Sequence, residues 1–135
     1  MELICVAPER VGEFWPFASH LIREAIERTD LSDFADIERH VLSGDQLLWI
    51  AWNGEAIEAA ATTHLIRAGM RSLCILTACS GKERERWLHL FEKIEQYARN
   101  EGCCAMRIYG RRGWERVLEG YKTEYVILEK QLGRH

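Results

Sequence analysis

The spacing of hydrophobic positions changes several times along the chain, and each change marks an element. Residues 2–6 open with an apolar stretch that predicts a short strand. Phe14, Phe17, Ala18, Leu21, Ile22 and Ala25 then recur at helical spacing across 9–28. Pro16 falls inside that run. Proline fits a first turn but not a helix interior, so a break or a fresh start is expected near it. Over 33–43, Phe34, Ile37, Val41 and Leu42 outline a second apolar helix face, with Ser32 or Asp33 placed to cap its start and Gly44 to stop it.

The period then drops to two. "QLLWIAW" (46–52) and "AIEAAATTHLI" (56–66) read as strands joined by Asn53-Gly54, a strong hairpin signal because both turn residues must tolerate positive φ. Ala68-Gly69 closes the second run, and "SLCILTAC" (72–79) is apolar enough for the middle of a sheet. From 81 to 100 the spacing is helical again, with Trp87, Leu88, Phe91, Ile94, Tyr97 and Ala98 on one face and Gly102 as the stop. "CCAMRIYG" (103–110) is a further strand, which implies a parallel pair joined by a right-handed crossover. A short helix at 112–119, Gly120-Tyr121, and the alternating "TEYVILEKQL" (123–132), read as a last strand, complete the chain. The order β-α-α-β-β-β-α-β-α-β predicts an α+β fold (α/β/α): a mixed, mostly antiparallel sheet with helices on both faces, in a single domain over 1–135.

Composition narrows the function. With 47% hydrophobic and 29% charged residues the chain can bury a core, and its net charge of −3 gives no general attraction to nucleic acid. Nothing resembles a leader peptide or a membrane span, so a cytoplasmic protein with no membrane and no nucleic-acid partner is expected. The five cysteines are odd in number and contain no C-x-x-C, which favours reduced thiols, and no metal site is expected. Trp49 and Trp52 point to opposite faces of their strand, one toward a core and the other free for a ligand or partner.

The stretch "RNEGCCAMRIYGRRGWERVLEGYKTEYVILEKQL" (99–132), taken with the element order, resembles the GCN5-related N-acetyltransferase (GNAT) family over nearly the whole chain. Ala98 and Gly102 match the end of that family's long helix, and Gly120-Tyr121 its aromatic "GF" or "GY" before the final strand. Alphaproteobacterial and phage-encoded members with "GRxGW" before the last helix look most similar. The resemblance implies that two central parallel strands splay apart and that acetyl-CoA, or another acyl-CoA, enters the gap as substrate. Its tail would lie along Leu76, Thr77, Ala78 and Cys79 and its pyrophosphate near Ser80, Gly81, Lys82 and Arg84, with Arg111 as a further phosphate ligand. An amine on a small molecule or a peptide would be the acceptor, and a homodimer is compatible with the pattern.

The sequence departs from the family at two places. The family's phosphate loop, Q/R-x-x-G-x-G/A, is missing its glycines: in "ACSGKERERWL" (78–88) the candidate frames put Glu85, Trp87 or His89 where the first should stand. Ser80 and Glu83 either form a capping box that uses the same amide donors, or Gly81 with Lys82, Arg84 and Arg86 makes a seat based on side-chain charge. The phenol that commonly serves as acid is replaced by Arg116, leaving Tyr121, Tyr109 or Cys79 as substitutes. Arg111, Arg112 and Arg116 form either a phosphate contact or a solvated helix face paired with Glu115 and Glu119. For a base, Glu58 and His64 lie six residues apart on one strand, hence on one face if the alternation is regular. The expected function is acyl-CoA-dependent N-acetyl transfer by direct amine attack, with a catalytically inactive binding or assembly module of the same fold, phage-related, as the alternative.

Overall fold

A computed structural model describes residues 1–133. The sheet has five strands in the order β1 (Glu2–Cys5), β2 (Leu47–Trp52), β3 (Ile57–Ala68), β4 (Arg71–Gly81) and β5 (Ala105–Ile108). The first four pair antiparallel, and β4 and β5 are parallel. The helices α1 (Val11–Thr29) and α2 (Phe34–Ser43) cover one face; α3 (Phe91–Asn100) and α4 (Gly113–Val117) lie on the other. The mixed α+β fold read from the sequence is therefore present.

Each face has its own core. Trp15, Leu21, Ile22 and Val41 of the first helices pack on Leu48, Ile50, Ala60 and Ala78 of the sheet. On the opposite face Trp87, Phe91 and Ile94 meet Trp49, Ala51, Ala59, Ala61 and Leu76. Trp49 is buried there, its indole N–H donating to the Thr63 hydroxyl at 2.9 Å. Trp52, on the other face, is half-buried.

Several expectations need correction. Pro16 does not break α1, which runs unbroken from Val11 to Thr29; a proline this near the start removes only the bond to the Gly12 carbonyl, four residues back. Asn53-Gly54 is part of a four-residue connection and not a two-residue turn. The Asn53 side-chain oxygen accepts from the N–H groups of Glu55 and Ala56, and only Gly54 has positive φ. The long helix begins at Phe91, not at 81, because β4 runs on to Gly81 and single 3-10 turns occupy Arg84–Arg86 and Leu88–Leu90. Ser80 is consequently a strand residue whose hydroxyl reaches Glu24 at 3.3 Å, and it caps no helix. Finally, residues 123–132 form no strand and lie exposed.

Two bulges shape the sheet. Ala51 pairs with Ala59 but Trp52 with Ile57, so Glu58 is the extra residue in β3. Thr62 pairs with Ala78 but Thr63 with Leu76, so Thr77 is the extra residue in β4. A bulge moves every later side chain to the other face. Leu76 thus packs under α3 while Ala78, two residues on, packs under α1.

Candidate active site

The parallel pair is short. β4 and β5 are matched from Leu73 with Ala105 to Leu76 with Ile108, and the last bond runs from the Tyr109 N–H to the Leu76 carbonyl at 3.1 Å. β4 continues to Gly81, held on its other side by β3, while the chain after Tyr109 turns away. Past the Thr77 bulge one edge of β4 therefore has no strand partner among the described residues. The two strands splay as the resemblance implies.

The splay opens a crevice of about 750 Å³ of non-atom space, solvent at its mouth included. Leu76 and Ala78 to Gly81 form one wall, and Tyr109, Gly110 and Trp114 the other. Glycine is required at two of these positions by close approach. A Cβ on Gly81 would lie 2.5 Å from that of Ala59 and 2.6 Å from the Glu58 carbonyl oxygen. A Cβ on Gly110 would lie 2.7 Å from the Trp114 ring. Trp87 and Trp114, with ring centroids 6.5 Å apart, make the apolar floor.

Three guanidinium groups line the crevice: Arg28 from the last turn of α1, Arg84 from the first 3-10 turn after β4, and Arg111 before α4. Among the described residues none of the three has a carboxylate within 4.0 Å. Three unneutralised guanidiniums around one opening are suited to phosphate, which each can grip with two N–H groups. Sequence reasoning missed Arg28, since only tertiary folding brings the end of α1 beside β4. Lys82 lies outside the crevice, its backbone N–H bonded to the Glu58 carbonyl at 2.9 Å. Thr77 is also turned away: the Thr62 hydroxyl donates to that of Thr77 at 2.6 Å, which in turn donates to Gln46 at 2.9 Å.

The three catalytic candidates do not meet. Glu58 accepts from Arg86 at 2.7 and 2.8 Å and from Asn53 at 2.7 Å. These donors, Arg86 first, draw its carboxyl down to about 2. His64 faces away from Glu58, because the bulge at Glu58 interrupts the alternation on which a shared face depended. Burial, and then the neighbouring His40 of α2, lower the His64 pKa, and its buried Nδ1 has no partner among the described residues. The Tyr121 phenol donates to Glu95 at 2.7 Å; burial chiefly, and then that carboxylate, raise its pKa. Of the three phenol or thiol substitutes, Tyr109 and Cys79 line the crevice and Tyr121 does not. Burial pushes the Cys79 thiol up to about 12.

Solved structures share this fold. A probable acetyltransferase aligns with a TM-score of 0.66 at 13% identity, covering 100% of both chains. An aminoglycoside acetyltransferase from an uncultured soil metagenomic sample, in complex with trehalose, aligns at 0.69 and 11% identity, over 98% of this chain and 96% of that one. The chain has the fold of GNAT-type acetyltransferases. A possible acetyltransferase from Clostridium difficile 630 aligns similarly, at 0.60 and 13% identity over 98% of each chain. At such identities the likeness concerns the fold. No protein-family model matches the sequence, and no curated protein matches it. Among the described residues, no helix is long and apolar enough to cross a membrane, and no three His, Cys, Asp or Glu side chains cluster as a metal site would need.

Proposed function

We propose that the protein is an acyl-CoA-dependent N-acetyltransferase in which an acceptor amine attacks acetyl-CoA, or another acyl-CoA, directly. The observation that carries this reading is the gap beyond Leu76 and Ile108, with Arg28, Arg84 and Arg111 around it. An open strand edge offers N–H and C=O groups to an amide-containing pantetheine arm, and the guanidiniums offer charge-assisted bonds to phosphate. Acyl-CoA supplies the activated acyl group. In this GNAT-like site Ala78 to Gly81 hold the arm, the three arginines hold the phosphates, and the acceptor is a small-molecule or peptide amine.

The departing thiolate needs a proton. Tyr109 carries a phenol in the crevice wall and takes the role of general acid, with the Cys79 thiol as a second proton source. Glu58 is committed to Arg86 and acts on the fold, not on the amine. The amine proton leaves through water at the open mouth.

Acetyl-CoA offered with a panel of amines, with release of CoA thiol corrected for the protein's five cysteines, tests this directly. Tyr109→Phe should lower kcat by about 10²-fold or more while leaving the Kd for CoA within about threefold of wild type. Turnover undiminished by that change would relocate the acid. A second reading, a module that binds CoA without transfer, is favoured by Tyr121 being engaged with Glu95. Binding of CoA without thiol release would establish it, and neither binding nor release would retire both.

A further inference from the structure

The turn that carries Arg84 has Gly81 alone where a phosphate loop would have several glycines, yet one residue ties it down at both ends. At its entry the Lys82 N–H donates to the Glu58 carbonyl at 2.9 Å. At its exit the Arg86 guanidinium donates to both oxygens of the Glu58 carboxylate, at 2.7 and 2.8 Å, and the Asn53 amide donates to the same carboxylate at 2.7 Å. Between these ties the Trp87 indole N–H donates to the Lys82 carbonyl, and the Arg86 and Trp87 N–H groups donate to the carbonyls of Glu83 and Arg84 at 2.9 and 3.1 Å. Glu58 can serve both ends because it is the residue the β3 bulge leaves over, one step past the last β3–β4 pair, Ala59 with Gly81.

The charges of the turn are divided in the same way. Arg86 is neutralised by Glu58, and neither of them lines the crevice. Arg84, two residues earlier, does line it and has no carboxylate within 4.0 Å among the described residues. A loose turn would have to be ordered when a ligand arrives, and that cost subtracts from the affinity. We propose that Glu58 is a positioning residue: holding Lys82 with its carbonyl and Arg86 with its carboxylate, it presets the 82–87 turn so that the Arg84 guanidinium meets an arriving phosphate. This role rests on the acyl-CoA reading of the crevice. It gives the β3 bulge the task that glycines perform in a phosphate loop. Simple electrostatics has the opposite sign, since removing a negative charge near the crevice favours a polyanion. The direction of the change therefore separates the two effects.

Titration calorimetry of CoA into the full chain is the test. Glu58→Gln keeps the carbonyl and the size of the side chain but gives up the ion pair, and should raise the Kd for CoA by about tenfold. Arg86→Ala, at a half-exposed position, should do the same, and Arg86→Lys, which keeps a cation for Glu58, should return Kd to within about threefold of wild type. In an Arg84→Ala background Glu58→Gln should change Kd by less than about twofold, because the group being positioned is gone. A general loosening of the fold would weaken both backgrounds alike. Melting midpoints in the same buffer show that each variant is folded during its titration. A Kd unchanged or lowered in Glu58→Gln, or an equal loss in the two backgrounds, would overturn the positioning role and leave the acyl-CoA reading standing. A wild type that binds no CoA would remove that reading and this role with it.

Discussion

Glu58 is 6% exposed, is held by Arg86 and Asn53, and has its carboxyl drawn down to about 2. A group whose folded pKa lies below its unfolded value stabilises the fold when ionised. The contribution is therefore complete above about pH 5 and is lost as pH falls from about 4 toward about 2. Glu58→Gln should lower the melting temperature at pH 7, and the two proteins should converge near pH 2. Thermal melts across that window would show this, and a constant difference at every pH would deny the ion pair its role. The sequence presents Glu58 as a base because it stands six residues from His64 on one strand, and regular alternation would put both on one face. Its role is decided by Arg86, which stands 28 positions away and reaches it only after the chain turns at Gly81. That same turn fixes Gly81 against Ala59, where no other residue fits.

Elements whose period and termini were both marked are the ones legible from the chain. The helix read at 33–43 is α2, stopped at a left-handed Gly44, and the strand read at 72–79 lies within β4. What the pattern could not give were the bulges, since an inserted residue leaves the local composition unchanged and alters only what lies opposite. The bulge at Thr77 has the larger consequence: it moves Ala78 and Cys79 to new faces just where β5 departs. Its hydroxyl links Thr62 to the buried Gln46. Thr77→Val keeps the shape but strands both partners, and should cost about 1–3 kcal/mol, a fall of several degrees in melting temperature. Differential scanning calorimetry would measure it, and an unchanged midpoint would show that the hydroxyl chain does not hold the bulge. The 123–132 segment failed as a strand for the opposite reason. Its alternation is genuine, but among the described residues no backbone group of 124–133 pairs with another.

On the scale of the whole molecule, a chain of net charge −3 gathers three unpaired arginines at one crevice, drawn from the end of α1, the turn after β4 and the approach to α4. Local positive potential set against an acidic average favours a polyanion at that mouth. The phosphates of CoA should accordingly dominate its affinity, while the pantetheine arm adds alignment along β4. CoA at about 100 times its Kd should stabilise the fold by about 2.7 kcal/mol, raising the melting midpoint by roughly 10 °C. Pantetheine, which has the arm and no phosphates, should raise it by no more than about 2 °C at the same concentration. Arg28→Ala and Arg84→Ala should each weaken CoA binding by about tenfold or more, and Lys82→Ala by less than about twofold, since Lys82 lies outside the crevice. Equal shifts with CoA and pantetheine would mean that the arginines do not seat the phosphates. No shift with either would leave the splayed strands without a ligand and the acyltransferase reading without its substrate.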